Sequence, residues 1–159
     1  MRISYILTLL SVLLIGCGKG VKLDLDREGD KIMRLHRLQR KYHFTKDSVA
    51  FAKMHSPDFT SVNKGVVSKP ILEDLITKYH HYFSMVEFLK WDDKTKPVVM
   101  ISNDGTQAYT IVEKIVKFRY EDSKGDMKVI ESHFAWTTIY KKYNGQWKID
   151  CVTSTEKKS

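Results

Sequence analysis

The spacing of apolar and polar residues changes along the chain, and each change marks an element. Ile3 to Ile15 carry no charged side chain and sit between Arg2 and Gly16-Cys17-Gly18. The uncharged stretch covers 16 positions, Ile3 to Gly18, short of the ~20 a helix needs to cross a bilayer core. A positive residue, an apolar run and a small residue, in that order, are the layout of a secretory signal peptide. From Asp30 the spacing becomes helical: Ile32, Leu35, Leu38 and Tyr42 share a face, with Arg34, Arg37, Arg40 and Lys41 elsewhere on the turn. Thr45, with Asp47 in the first turn, starts a second, short helix through Val49-Ala50-Phe51-Ala52 that ends near His55, before Pro57. Asp58 to Val62 alternates as a strand, Asn63-Lys64-Gly65 turns it, and Val66-Val67 returns. Ser68 with Pro70 predicts the start of a third helix carrying Ile71, Leu72, Leu75, Ile76, Tyr79 and Phe83.

Beyond His81 the sequence turns to β-branched and aromatic residues: Met85 to Trp91, Val98 to Ser102, Gln107 to Tyr120, Lys128 to Tyr143 and Trp147 to Ser154. Asn144-Gly145 is a type I′ hairpin signal, since both residues tolerate positive φ. Strands of about 15 residues would stretch roughly 50 Å if flat, too long for one domain of this size, so the sheet must curl. Helices first and strands afterwards define an α+β domain: a strongly curved antiparallel sheet with three N-terminal helices packed on its concave face. Its expected extent is residues 30–155, after a signal peptide at 1–16 and a tether at 17–29, and before a polar tail at 156–159.

Composition narrows the function. With 159 residues, 42% hydrophobic and 29% charged, the chain has material for one core and no second composition zone. The net charge of +8 becomes +7 without Arg2, and the lysines are dispersed. That distribution suits solubility or an anionic lipid surface, and it argues against nucleic acid. Leu14-Ile15-Gly16-Cys17 resembles the bacterial lipobox. The resemblance implies a diacylglycerol on the Cys17 sulfur, cleavage before Cys17 and acylation of the new amino terminus. It also implies a place in the bacterial cell envelope, facing periplasm or exterior. Several chains are needed, because each buried methylene contributes ~0.8 kcal/mol and a single chain anchors marginally. Cys151 is then the one remaining thiol, and alternation with Trp147 and Ile149 predicts that it is buried and inert.

Six histidines are present, but HExxH, CxxC and a His-x3-His pair on one helix are not, so neither metal nor cofactor is expected. Alternation puts Val112, Val116, Phe118 and Tyr120 on one face, beside Ile130, Phe134, Trp136 and Tyr140 and then Trp147 and Ile149. Aromatic walls with a few hydroxyls, such as Thr110 and Thr138, suit a small apolar ligand. The candidate ligand contacts are Tyr42, Phe59, Trp91, Phe134, Trp136 and Thr138. An alternative acid/base trio is His133 with Glu131 on its own strand and Glu113 on the next.

Lys46 to Ala50, Ser56 to Gly65 and Ile139 to Ile149, together with the order of elements, resemble the nuclear transport factor 2-like cone, including its SnoaL-like and ketosteroid-isomerase-like branches. The resemblance implies a conical cavity beneath the helices, dimers through the outer sheet face, and functions from isomerase to non-catalytic binding module. It matches the isomerases' carboxylate base to Asn63, which cannot accept a proton in that way. The expected function is therefore a membrane-anchored lipoprotein whose domain binds a small apolar ligand or a protein partner without catalysis. The alternatives are a lipid-anchored isomerase, cyclase or hydrolase and a dimeric assembly subunit.

Overall fold

The computed structural model describes residues 23–157; the expected signal peptide and Cys17 lie outside the described residues. Helix α1 (Leu25–Thr45) starts behind Asp24, whose carboxylate accepts the Arg27 amide at 3.0 Å, and stops at Lys46 in the left-handed region (φ 54°). It begins five residues before the expected boundary at Asp30, so the carboxyl-terminal part of the predicted tether is helix. The reason is Glu28: its carboxylate accepts Trp147 Nε1 at 2.6 Å and pairs with Lys31 at 2.6 Å and Lys142 at 2.9 Å. Helix α2 (Ser48–Ala52) is capped by Asp47, which accepts the Ala50 amide at 2.8 Å. Thr45 instead bonds back to the Lys41 carbonyl.

Strand β1 (His55–Asn63) turns into β2 (Val66–Ser68). Helix α3 (Leu72–Met85) follows; Ser68 ends β2 rather than capping α3, and Ile71 at the cap offers no side-chain bond. Then come β3 (Glu87–Asp93), β4 (Val98–Ile101), β5 (Gln107–Glu121), β6 (Met127–Tyr143) and β7 (Gln146–Glu156). The strands form one curved sheet in the order β2-β1-β7-β6-β5-β3, with β4 on the same edge of β5 as β3. Every pairing is antiparallel except β1 with β7, which is parallel. Hairpins force antiparallel pairing between consecutive strands; β1 reaches β7 from a helix and is free of that constraint. Ile32, Phe51, Leu75 and Phe83 of the helices form the core with Phe88, Trp91, Val116, Tyr140, Trp147 and Ile149 of the sheet.

Three breaks in register bend the sheet: between His55 and Thr60, between Phe88 and Lys90, and between Ile139 and Tyr140. The third has the largest consequence. Tyr140 pairs with Ile149 and Ile139 with Cys151, leaving Asp150 as the extra residue. Alternation therefore reverses: Trp147 and Ile149 point into the core before the bulge, and Val152 and Ser154 line its cavity after it. Cys151 is only half-buried, opposite the exposed Ile139, which corrects its expected place beside Ile149. The bulged Asp150 accepts Ser56 Oγ at 2.8 Å and the Tyr143 hydroxyl at 2.6 Å, and pairs with Lys141 at 2.7 Å. Ile130, expected inside, is 38% exposed because the far end of the β5–β6 ribbon, residues 123–131, is exposed throughout.

Two substitutions test this frame. Asn144 and Gly145 have φ of 50° and 77°, so Gly145→Val puts a β-branched residue in the left-handed region and costs about 1–2 kcal/mol. Asp150→Ala leaves the buried Ser56 hydroxyl without its acceptor and costs about 1–3 kcal/mol. Urea midpoints equal to wild type would show that the turn and the bulge do not depend on these residues.

Candidate functional site

The site is built on the inward stripe of α1, and that stripe is mostly polar: Glu28, Ile32, His36, Gln39 and His43 are buried, while Leu35, Leu38 and Tyr42 are half-buried beside them. His43 stacks on Trp91 with ring centroids 3.6 Å apart and meets Phe51, Phe83 and Phe88 edge-on at 4.7, 5.0 and 5.1 Å. Its Nδ1 donates to the Gln39 carbonyl at 2.7 Å. Burial pushes its pKa down to about 3, so the ring is neutral and Nε2 is left as an acceptor. His55 sits between Phe59 and Tyr79, bonds through Nδ1 to the Ala52 and Phe51 carbonyls at 3.1 and 3.2 Å, and is pushed by burial to about 4. Gln39 Nε2 donates to the Tyr140 hydroxyl at 3.4 Å.

These groups border a cavity of about 220 Å³ whose wall includes Phe59, Tyr79, Trp91, Trp136, Thr138 and Ile149. Trp91 also buries an indole N–H that has no hydrogen-bond partner among the described residues. Near the two indoles lies a charged cluster. Lys114, 3% exposed, has its ammonium 5.9 Å from both the Trp91 and the Trp136 rings and 2.6 Å from Asp93, which also accepts His36 Nε2 at 2.9 Å. Burial lowers the pKa of Lys114 and of His36, with Asp93 opposing both shifts. Burial of Asp93 acts to raise its pKa, but Lys114 and His36 outweigh it and hold the carboxylate below its usual range.

Of the six candidate ligand contacts, Phe59, Trp91, Trp136 and Thr138 meet at this cavity. Tyr42 does not: it follows the inward stripe by one position short of His43, about 100° around the helix, and faces a groove with Leu38 and Trp147. Phe134 is 6.0 Å from Trp136 but lies one pleat further along β6, in a separate depression with Lys94, Glu113 and His133. The alternative trio does not converge in the cavity. His133 is 3.5 Å from Glu131, Glu131 is 3.5 Å from Lys117, Glu113 is 3.8 Å from Lys94, and all are about half-exposed. His80 and His81 are exposed, and Asn63 lies at the cavity wall. Sequence reasoning missed Gln39, His43, His55 and Lys114. A signal was present for the first two: His36, Gln39 and His43 continue the face of Ile32 at spacings of four, three and four.

No family model matches this sequence, and no curated protein matches it. Solved structures do. A ketosteroid isomerase-like protein from Erwinia carotovora atroseptica aligns with a TM-score of 0.67 at 12% identity, over 84% of this chain and 99% of its own. A nuclear transport factor 2-like protein of unknown function in nutrient uptake from Rhodospirillum rubrum aligns at 0.63 and 15%, covering 80% and 98%. An uncharacterized protein with a cystatin-like fold from Caulobacter vibrioides aligns at 0.63 and 18%, covering 82% and 91%. The chain therefore has the nuclear transport factor 2-like, cystatin-like α+β fold.

The buried histidines make stability depend on acid. Unfolded histidine takes up a proton near pH 6.5, whereas His55 and His43 resist it until about 4 and about 3, so stability falls as pH drops below ~6.5. Glu28, held at about 2 by Lys31, Lys142 and Trp147 against its burial, adds a further loss below ~4.5. The urea midpoint is expected to be level from pH 8 to 7 and to fall steadily towards pH 4, less steeply in His43→Phe. A midpoint unchanged between pH 7 and 4.5 would mean that the histidines are not buried neutral.

Proposed function

We propose that the protein is a lipoprotein held at a membrane through acylated Cys17, and that its cavity binds a small, uncharged, hydroxyl-bearing aromatic molecule without chemical change. The observation that carries this reading is the cavity itself: aromatic walls, neutral His43 with a free acceptor nitrogen, and about 220 Å³ of space. That volume is below the ~300–1,000 Å³ of drug-sized sites, which favours one ring over a fused system. Burial of the ring supplies affinity, while His43 Nε2 and the Thr138 hydroxyl select a ligand O–H. A charged ligand would meet no counter-ion on this wall other than Lys78. The non-catalytic form of the proposal draws support from the position of His133, Glu113 and Glu131, which lie away from the cavity.

A second reading, pairing with another copy through the outer sheet face, is favoured by one contiguous observation. Val98 and Met100 on β4 lie opposite Ile111 and Tyr109 on β5, and Tyr109 lies opposite Ile139 on β6; all five are more than a third exposed. The two readings use opposite faces of the sheet.

Three measurements check them. Cys17→Ser is expected to abolish incorporation of labelled palmitate and release the protein from the membrane fraction; unchanged retention would reject lipid anchoring. Phenol and substituted phenols are expected to give a saturable change in tryptophan fluorescence through Trp91 and Trp136. Thr138→Val should weaken that binding about fivefold to tenfold, the worth of one hydrogen bond, at a stability cost of about 1 kcal/mol for the bond lost to the buried Tyr140 hydroxyl, and the absence of any saturable change in the wild type would sink the ligand reading. Ile111→Lys is expected to convert a dimer to a monomer by light scattering, and a wild-type monomer at micromolar concentration would sink the pairing.

A further inference from the structure

A second concave surface lies outside the cone, where α1 passes the β6–β7 hairpin and the end of α2. Its floor is apolar, formed by Leu35, Leu38, Tyr42, Ala50, Met54 and Trp147. Its rim carries Lys31, Arg34, Lys53 and Lys148, and no carboxylate lines it. Lys31 pairs with Glu28, and Lys148 donates to the Lys53 carbonyl at 2.7 Å; Arg34, Lys53 and Lys148 form no ion pair with the described residues. The outer sheet face is more nearly balanced, with Lys94 on Glu113, Lys117 on Glu131 and Arg119 on Glu87, although Lys90, opposite Lys117, has no ion pair among the described residues. The groove is thus a local excess of unneutralised positive charge around apolar side chains.

Its position matters as much as its charge. Trp147 of the groove floor holds Glu28 in the first turn of α1, and Leu23 lies against Gly105 of the β4–β5 turn, whose neighbour Thr106 accepts the Lys142 amide. The amino-terminal end of the described chain therefore lies beside the Trp147 end of the groove, which runs on from there along α1 to Tyr42. Cys17 stands six residues before Leu23, a span of at most roughly 20 Å.

We propose that this groove is a membrane-docking face: Arg34, Lys53, Lys148 and Lys31 contact anionic phospholipid headgroups while Leu35, Leu38 and Tyr42 face the headgroup boundary. The orientation of the domain rests on the anchoring reading above, since a lipid on Cys17 keeps this end within reach of the bilayer. The electrostatic attraction does not rest on it, because basic side chains next to an anionic surface are drawn to it with or without an acyl chain. Docking on this face leaves the outer sheet face free, and it orders the domain on its tether instead of leaving it to tumble.

The test uses the full chain, reconstituted into vesicles of phosphatidylcholine alone or of equimolar phosphatidylcholine and phosphatidylglycerol. Amide exchange is read over Arg34–Tyr42, Lys53–Met54 and Gln146–Lys148, with β4 as an internal control. The expected result is slower exchange in those three segments on the anionic vesicles only, reversed by high salt. Combining Arg34→Glu, Lys53→Glu and Lys148→Glu should remove that protection and lower vesicle affinity by more than about a hundredfold. Combining the three glutamine substitutions at the same positions should give an intermediate loss, and matching melting curves confirm that both variants fold. Equal exchange on the two vesicle types, or protection that survives the charge reversal, overturns the proposal; so does protection that appears only when an acidic protein is added. The mass of the amino-terminal peptide reports acylation of Cys17 separately. An unacylated Cys17 refutes the anchor, while the salt-sensitive protection on anionic vesicles still decides the docking face.

Discussion

The interior of this domain depends on satisfying a helix whose buried stripe is polar. An unpaired charge in such a place would cost several kcal/mol, so each group on α1 must find its partner on the sheet. Glu28 takes Trp147 of β7 and Lys142 of β6, His36 takes Asp93 of β3, Asp93 takes Lys114 of β5, and Gln39 takes Tyr140 of β6. His43 has no hydrogen-bond partner on the sheet: it bonds to its own helix and packs on an indole face. A one-residue slip of any of these strands would turn its partner to the outer face. The polar stripe therefore specifies the register of four strands at once, which an apolar stripe could not do.

Curvature adds the second condition. The bulges place an extra residue where the sheet must bend, and the one at Asp150 also decides which residues of β7 reach the cavity. Asp150 is held from the other side by Ser56, Tyr143 and Lys141. The shape of the concave site is thus set partly by a charged cluster on the convex side that never touches it.

The helix-then-strand order, the long strands that had to curl, and the Asn144-Gly145 turn were all legible in the sequence, because each follows from local periodicity or from a φ preference. Phe59, Trp91, Trp136 and Thr138 were legible as cavity wall, although a bulge after Phe88 separates Trp91 from simple alternation. What periodicity could not reveal was any inward residue whose burial depends on a distant partner. Lys114 is inside only because Asp93 meets it, and His36 only because the same carboxylate does; nothing near either residue in the chain announces it. Tyr42 was misplaced for the complementary reason, since an apolar stripe was read where the tightest packing follows its polar neighbours Gln39 and His43. Cys151 was misplaced because alternation carries no warning of an inserted residue.

The parallel pairing of β1 with β7 has a temporal consequence. It joins His55 to Ile149 and Asn63 to Ser154, partners more than ninety positions apart, and the Met54 carbonyl accepts the Ile149 amide at 2.9 Å. Contacts this distant in sequence close late, after the loop entropy between them has been met. A growing chain that has reached Tyr143 holds all three helices and six of the seven strands, yet β1 and β6 both present bare edges. Synthesis of β7 is what converts two separate ribbons into one sheet, so the cavity comes into being only once Gln146–Glu156 have been made.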